Sequence, residues 1–208
     1  MDSRFAIPSA LEGTSLHAPL EDLFRIYGRI DEAQRAWIDA TPYRCPEGCG
    51  ACCEGFEPDL SEIEALFLAA WLIRSKKEEL LDAAEAARGR KGCVLADPSG
   101  QFHCTAYGGR PLVCRLFAYA GDRGKDGAPR FRTCSRQEPR EERSLDERTL
   151  RNRFGSLPPL MGDYAGEAEL ILPNSAGDRV PLRDALPAAV AKIRYLIDLN
   201  DFSGPKSA

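Results

Sequence analysis

Residues 44–56, RCPEGCGACCEGF, hold four cysteines in nine positions: Cys45, Cys49, Cys52 and Cys53, spaced C-x3-C-x2-C-C. Thiols at this density point to one shared task, and disulfides, a metal ion and an iron–sulfur cluster are the candidates. Gly48 and Gly50 permit tight backbone turns, and Cys49-x2-Cys52 has the spacing of a metal knuckle. Cys45 adds a third sulfur a few residues upstream. The spacing assigns Cys45, Cys49 and Cys52 to one centre. It directs Cys53, the residue next to a ligand, toward a second centre or the rim, because adjacent side chains tend to diverge.

The rest of the chain narrows the three candidates. At 208 residues a single domain can bury roughly 70% of the surface its unfolded chain exposes, so the fold needs no staples merely to exist. Eight cysteines are an even number, yet their density falls below the ~8–10% of disulfide scaffolds. The opening residues 1–13, MDSRFAIPSALEG, carry Asp2 and Arg4 and then turn residues. They read as a draped segment rather than a signal peptide. A cytoplasmic protein is expected, and there thiols stay reduced and a cysteine pattern means metal or catalysis. A net charge of -4 lacks the basic footprint of a general nucleic-acid binder. The longest apolar run, ALFLAAWLI at 65–73, is far short of the ~20 residues a bilayer span needs. The expected partners are therefore a metal ion or cluster and, as a further candidate, a protein, but neither nucleic acid nor membrane.

Around the cysteines the pattern is helical. Leu20, Leu23, Phe24, Tyr27, Ile30 and Trp37 recur at helical intervals and predict a helix from Leu20 to Ala40, ended by Pro42. Ser61 and Glu64 form a capping box that opens a second helix, Glu62–Arg88, apolar nearly all round in its middle and hence buried. Trp71 within it reads as core. Asp97-Pro98-Ser99-Gly100 is turn chemistry for a small hairpin or paired loop. Pro111 starts a short helix carrying Cys114 to Phe117. GDRGKDGAPR, residues 121–130, reads as a polar loop, and Ser144 with Glu147 caps a short charged helix to Arg153. Eight arginines between Arg130 and Arg153 read as a solvated mixed-charge face. GEAELILP (166–173) and DRVPLRDALP (178–187) read as extended segments, and Pro187–Leu199 as a last amphipathic helix. The expected fold is mainly α: one domain, residues 1–208, with two long helices around a loop-rich cysteine core, residues 45–134, minor short strands, and a C-terminal extension, residues 135–208, packed on that core.

The C-x3-C-x2-C spacing matches the cluster loop of radical S-adenosylmethionine enzymes, but the chain lacks the strand–helix alternation of their barrel. A longer resemblance covers residues 45–134. Cys45, Cys49, Cys52 and Cys53, then Cys93 with Leu95, then Cys104, Tyr107, Arg110, Pro111, Cys114 and Arg115, then Cys134 resemble in order the signature of the YkgJ-type cysteine-cluster family, described as a zinc- or iron-chelating domain. Leu95 comes one residue early, and Gly108-Gly109 stand where the family has a polar or acidic pair. Flagellin lysine N-methylases look like distant relatives with the same cluster. The resemblance implies metal binding by the eight cysteines.

Eight thiolates can fill two four-ligand sites, or one cubane and one zinc. Zinc on four thiolates carries a formal charge of about -2, which Arg110 and Arg115, flanking Cys114, could offset. His103 beside Cys104 is expected near the sulfurs or exposed rather than ligating; His17 has no assigned role. No Cys–His or Ser–His–Asp set and no G-x-G-x-x-G loop is evident. Three functions follow: a protein coordinating an iron–sulfur cluster (4Fe–4S) or zinc, an iron–sulfur-dependent transferase acting on a protein or small molecule, and a structural zinc module for protein interaction.

Overall fold

A computed structural model describes residues 7–203, apart from 54, 78, 87, 88, 90, 98, 100–102 and 174–176. The fold is mainly α. Helix α1, His17–Ala40, begins one turn earlier than expected, because Pro19 falls in the first turn, where no intrahelical N–H partner is needed. Its buried face, Leu20, Leu23, Tyr27 and Ile30, is the predicted one. Strand β1, Asp59–Leu60, leads into α2, Glu62–Arg74. The capping box forms as expected, with the Ser61 N–H donating to Glu64 Oε2 at 3.1 Å.

The long second helix is broken, however. The Lys77 N–H donates to Leu72 O at 2.9 Å and the Lys76 N–H to Ile73 O at 3.1 Å. This is the paired closure of a Schellman turn. Lys76 takes the left-handed conformation (φ 53) that glycine usually supplies. The Lys77 ammonium lies 5.5 Å from the Trp71 ring centroid and donates to Thr105 O at 3.0 Å. Helix α3, Glu79–Ala86, follows; the expected end at Arg88 lies outside the described residues.

Four further segments differ from expectation. Between residues 121 and 130, β2 (Asp122–Arg123) and β3 (Pro129–Phe131) form a hairpin, turned at Gly127 (φ 77). Strand β4, Leu145–Asp146, extends it to an antiparallel sheet in the order β2-β3-β4. Helix α5, Glu147–Phe154, is capped by Asp146, which accepts from the Thr149 N–H at 2.8 Å, and not by Ser144. Helix α6, Met161–Glu169, occupies the start of the supposed extended segment GEAELILP. Of the second such segment only β5, Val180–Pro181, is strand, paired antiparallel with β1. Helix α7, Leu182–Ser203, starts five residues before Pro187 and takes that proline into its interior. Between Leu112 and Leu116 the expected short helix α4 forms, with Pro111 as its N-cap.

Helix α2 is the centre of the molecule. It packs along α7 and across α1, and ten of its side chains are buried, from Ile63 to Leu72. Tyr27 meets Phe67 edge-on at 5.0 Å. A fully buried Leu, Ile or Phe contributes about 1.5–3 kcal/mol relative to exposure, so this apolar frame holds itself together. A smaller cluster forms at the far end of α1, where Trp37, Tyr43, Phe131, Leu145 and Leu150 are buried together. Helix α1 thus joins both clusters.

Candidate metal centre

Four separate segments bring the cysteines to one place, and each is steered by identifiable contacts. The first is residues 45–53. Arg44 and Glu138 exchange backbone hydrogen bonds at 2.9 and 3.1 Å, which sets Cys45 beside the turn holding Cys134. The Cys45 N–H donates to the Tyr119 hydroxyl at 3.0 Å. A 3-10 turn, Ala51–Cys53, carries the double cysteine. Gly50 is needed here, because a Cβ would fall 2.2 Å from His103 Cγ.

The second segment is a paired loop, as its turn residues suggest. Ala96 bridges Cys104, and the Thr105 N–H donates to Leu95 O at 3.0 Å; Pro98 and Gly100 lie outside the described residues. The third is α4, whose first free amide, the Leu112 N–H, donates to Glu64 Oε1 at 2.8 Å. Buried Glu64 also accepts from Arg179 at 2.8 Å. The position of Cys114 is therefore tied to the N-terminus of α2. The fourth is the turn Cys134–Gln137, closed by the Gln137 N–H to Cys134 O at 3.0 Å. From α7, Arg183 grips two of these segments at once, donating to Glu57 Oε2 at 2.6 Å and to Gly92 O at 2.8 Å.

All the cysteines except Cys134 line one cavity of about 370 Å³, with His103, Arg110 and Arg115 also in its wall. All eight are free thiols. Among the described residues no three Cys, His, Asp or Glu side chains already stand in a shell that would hold an ion. The sulfurs surround a space rather than touch a point.

Their electrostatics sort them. Burial pushes the Cys93 thiol up to about 11, with Cys104 adding to the shift. Burial, then Cys93 and Cys104, pushes Cys114 up to about 12, against the opposing Arg110 guanidinium. Cys104 is raised by burial too. Cys45 is raised by burial against the opposing Tyr119 hydrogen bond, with Cys134, Cys49 and Cys52 adding to the shift. Cys52 is raised first by its hydrogen bond to Cys53, and the same bond lowers Cys53. The double cysteine thus does not diverge as adjacent residues on an extended chain would. A 3-10 turn sets successive side chains about 120° apart rather than on opposite faces, which leaves the Cys52 and Cys53 thiols within reach of each other while Cys53 also senses Cys104, Cys114 and Cys93. At neutral pH the raised thiols are protonated, and any metal must displace those protons.

The two arginines differ. Arg115 is 3% exposed and built into the fold. Its guanidinium lies 4.1 Å from the Tyr27 ring centroid and 3.6 Å from Asp31 Oδ1. It also donates to Arg110 O at 2.9 Å and to Gly108 O, bracing the turn between Cys104 and Cys114. Gln34 donates to Arg115 O at 2.6 Å. Arg110 is a cation that the thiols of Cys52, Cys104 and Cys114 all sense, and Cys104 senses Lys77 as well. It stacks on Tyr107 at 3.6 Å, and its buried Nε has no hydrogen-bond partner. Gly108 and Gly109 have a packing reason: a Cβ on either would come 2.8 Å from the Trp71 indole. Trp71 lies under the turn where a polar pair would otherwise project.

Glu57, Arg183, Tyr119 and Gln137 were not singled out by the sequence. No motif marks them, and their roles exist only once the four segments are folded together.

Comparison with curated proteins and with solved structures gives no match. Residues 44–141 match the model of the CxxCxxCC family, described as "Putative zinc- or iron-chelating domain". The matched stretch holds every cysteine of the chain, together with Arg110, Arg115 and the Arg44–Glu138 bridge that closes its ends. Over residues 44–141, a little under half of its length, the chain is similar to the CxxCxxCC domain.

Proposed function

We propose that the protein coordinates zinc or an iron–sulfur cluster, 4Fe–4S in the iron case, through Cys45, Cys49, Cys52, Cys53, Cys93, Cys104, Cys114 and Cys134, in a reducing compartment such as the cytoplasm. The observation that carries this reading is the convergence of cysteines from separate segments on one cavity, where packing alone gives no reason for soft sulfur donors to gather. The donor set suits the metals: thiolates are ligands for zinc and for iron–sulfur centres alike. Arg110 supplies positive charge against the ligand shell, and Arg115 holds the Cys104–Cys114 turn in place. Among the described residues no helix is long and apolar enough to cross a membrane.

Anaerobic purification with metal and acid-labile sulfide analysis tests the reading. Bound zinc, or iron with sulfide and a broad absorbance near 400 nm, is the expected result. A protein that retains no metal and cannot be reconstituted would end it.

A second reading, an iron–sulfur-dependent transferase, is favoured over a closed structural zinc module by the cavity itself. It has room beyond an ion, and Phe56, Tyr107 and Phe117 in its wall are each 38% exposed. A closed structural site needs no such opening.

A further inference from the structure

We propose that the eight thiols serve two separate metal centres: an outer one of Cys45, Cys49, Cys52 and Cys134, whose sulfurs receive a hydrogen bond from Gln137, and an inner one of Cys53, Cys93, Cys104 and Cys114. The proposal rests on the metal-chelating reading above and divides its ligands.

The outer centre is built on the Arg44–Glu138 bridge. That bridge lays Cys45 against the Cys134–Gln137 turn, and Cys49 follows one tight turn later, closed by its N–H to Pro46 O at 3.1 Å. Gln137 is 0% exposed. Its Oε1 accepts from the Cys134 N–H at 2.9 Å, which fixes the orientation of the carboxamide, since the flipped amide would set donor against donor. Its Nε2 then points the other way. It approaches the Tyr119 hydroxyl without making a hydrogen bond of ordinary geometry and has no partner. A buried N–H without an acceptor is costly. The Tyr119 hydroxyl beside it accepts from the Cys45 N–H, so thiolates of Cys45 and Cys134 drawn onto a metal would be the acceptors within its reach, and donors to ligating sulfur both orient and retain the metal. Gln137 is thus a positioning residue.

The inner centre has different surroundings. Cys93 and Cys104 pack against the main apolar core. The loop pairing of Ala96 with Cys104 holds two of its sulfurs together. Gly92 and Gly55 approach closely enough that a Cβ on Gly92 would sit 3.3 Å from Gly55 N. This brings Cys53 to Cys93, and Arg183 clamps the same pair of loops. Cys114 enters from the first turn of α4. Cys52, exposed and hydrogen-bonded to Cys53, stands at the boundary and completes four ligands for the outer centre.

The test is anaerobic titration of the reduced full chain with cobalt(II), followed by zinc(II) competition. Thiolate-to-cobalt absorbance reads the ligands, and mass spectrometry under native conditions reads the count. Two equivalents are expected. Cys134→Ser and Cys114→Ser should each keep one equivalent, and the double variant none. Gln137→Glu keeps the acceptor for Cys134 but removes the donor. It should weaken one equivalent 10- to 100-fold and shift only that centre's charge-transfer band. Gln137→Leu, which buries no charge, should weaken the same equivalent while the metal-free melt still shows a folded chain. A single equivalent in the wild-type chain, or loss of all metal from either single serine variant, overturns the division while leaving metal binding standing. No cobalt uptake, with no cluster formed on anaerobic reconstitution with iron and sulfide, overturns both readings.

Discussion

The helical frame and the cysteine-bearing loops are held by different means. In the frame, Leu20, Leu23, Tyr27, Ile30, Phe67, Leu68 and Leu72 have no exposed surface, and the interior of α2 against α7 excludes water along its length. The loops around it contain 3-10 turns, isolated bridges and a helix of five residues. Their cysteines are only partly buried, and Cys52 is exposed. Solvent exclusion explains the first region. The second gathers sulfurs that have little apolar surface to hide, and a bound metal would give those segments a reason to stay together.

Metal removal is therefore the sharpest way to separate the two regions. Structural zinc supplies on the order of 10 kcal/mol of folding free energy. Chelation should release residues 45–57, 92–111 and 132–138 while α1, α2 and α7 stay helical. Although α2 lies between Cys53 and Cys93 in the chain, its buried face belongs to the frame, so it should not follow the loops. Hydrogen exchange with and without chelator reads this directly. Equal protection of those loops before and after verified metal loss would remove the distinction.

Glu64 is the main joint between the regions, so its loss should be felt in both. Its side chain is 1% exposed and paired with Arg179, while its other oxygen holds the first amide of α4. Arg179 is one-third exposed and can turn to water. An unsatisfied buried donor, however, costs about 1–3 kcal/mol, and without Glu64 the amides of Leu112 and Ser61 lose their acceptor. Glu64→Ala should therefore destabilise the metal-free and metal-loaded protein alike by about that order. Denaturant melts of both forms check it. A change confined to the loaded form would place Glu64 with the loops alone.

Legibility in the sequence follows the same divide. The apolar periodicity of α1 and α2 could be read because burial of one helix face repeats every three to four residues. The capping box of α2 could be read because Ser61 and Glu64 carry their reason in their spacing. The break at Lys76 could not, since the left-handed turn there is made by a lysine whose neighbour is held by Trp71 and Thr105. The start of α7 was hidden by Pro187, a residue that reads as a boundary. For the site, the cysteines announced themselves by spacing, whereas Gln137, Tyr119, Glu57 and Arg183 are single polar residues whose meaning depends on distant partners. The glycine pair at 108–109 could be read only as a departure from a pattern, and the indole beneath it supplies the cause.

At that glycine pair the frame shapes the loops. Gly109→Ala forces a Cβ to 2.8 Å from Trp71 Cγ. Overpacking of this kind costs typically ~1–3 kcal/mol, and the displaced turn carries Arg110 and leads to Cys114. Lower stability and lower metal retention are expected together. Trp71→Leu should relieve much of both losses in the double variant. Additive losses would show that the turn and the indole are not coupled.

The smallest expected effect lies at the edge of the second apolar cluster. Glu141 accepts from the Tyr43 hydroxyl at 2.6 Å and pairs with Arg153 at 2.8 Å. The Arg153 hydrogen bond, and then that of Tyr43, hold the Glu141 carboxyl below its ordinary value of 4.5. A carboxylate with a lowered folded-state pKa adds stability above the unfolded value and loses it as pH falls through the folded one. Glu141→Gln should therefore be less stable than the wild type at pH 7. The pair is largely solvated, so the deficit should be under about 1 kcal/mol. As pH drops below 4.5, wild-type Glu141 takes up its proton and becomes as neutral as the glutamine. The two stabilities should then converge, measured on metal-free protein so that thiolate protonation does not intrude. An offset that stays constant from pH 7 to pH 3 would mean that shape, and not charge, is what Glu141 contributes beside Tyr43.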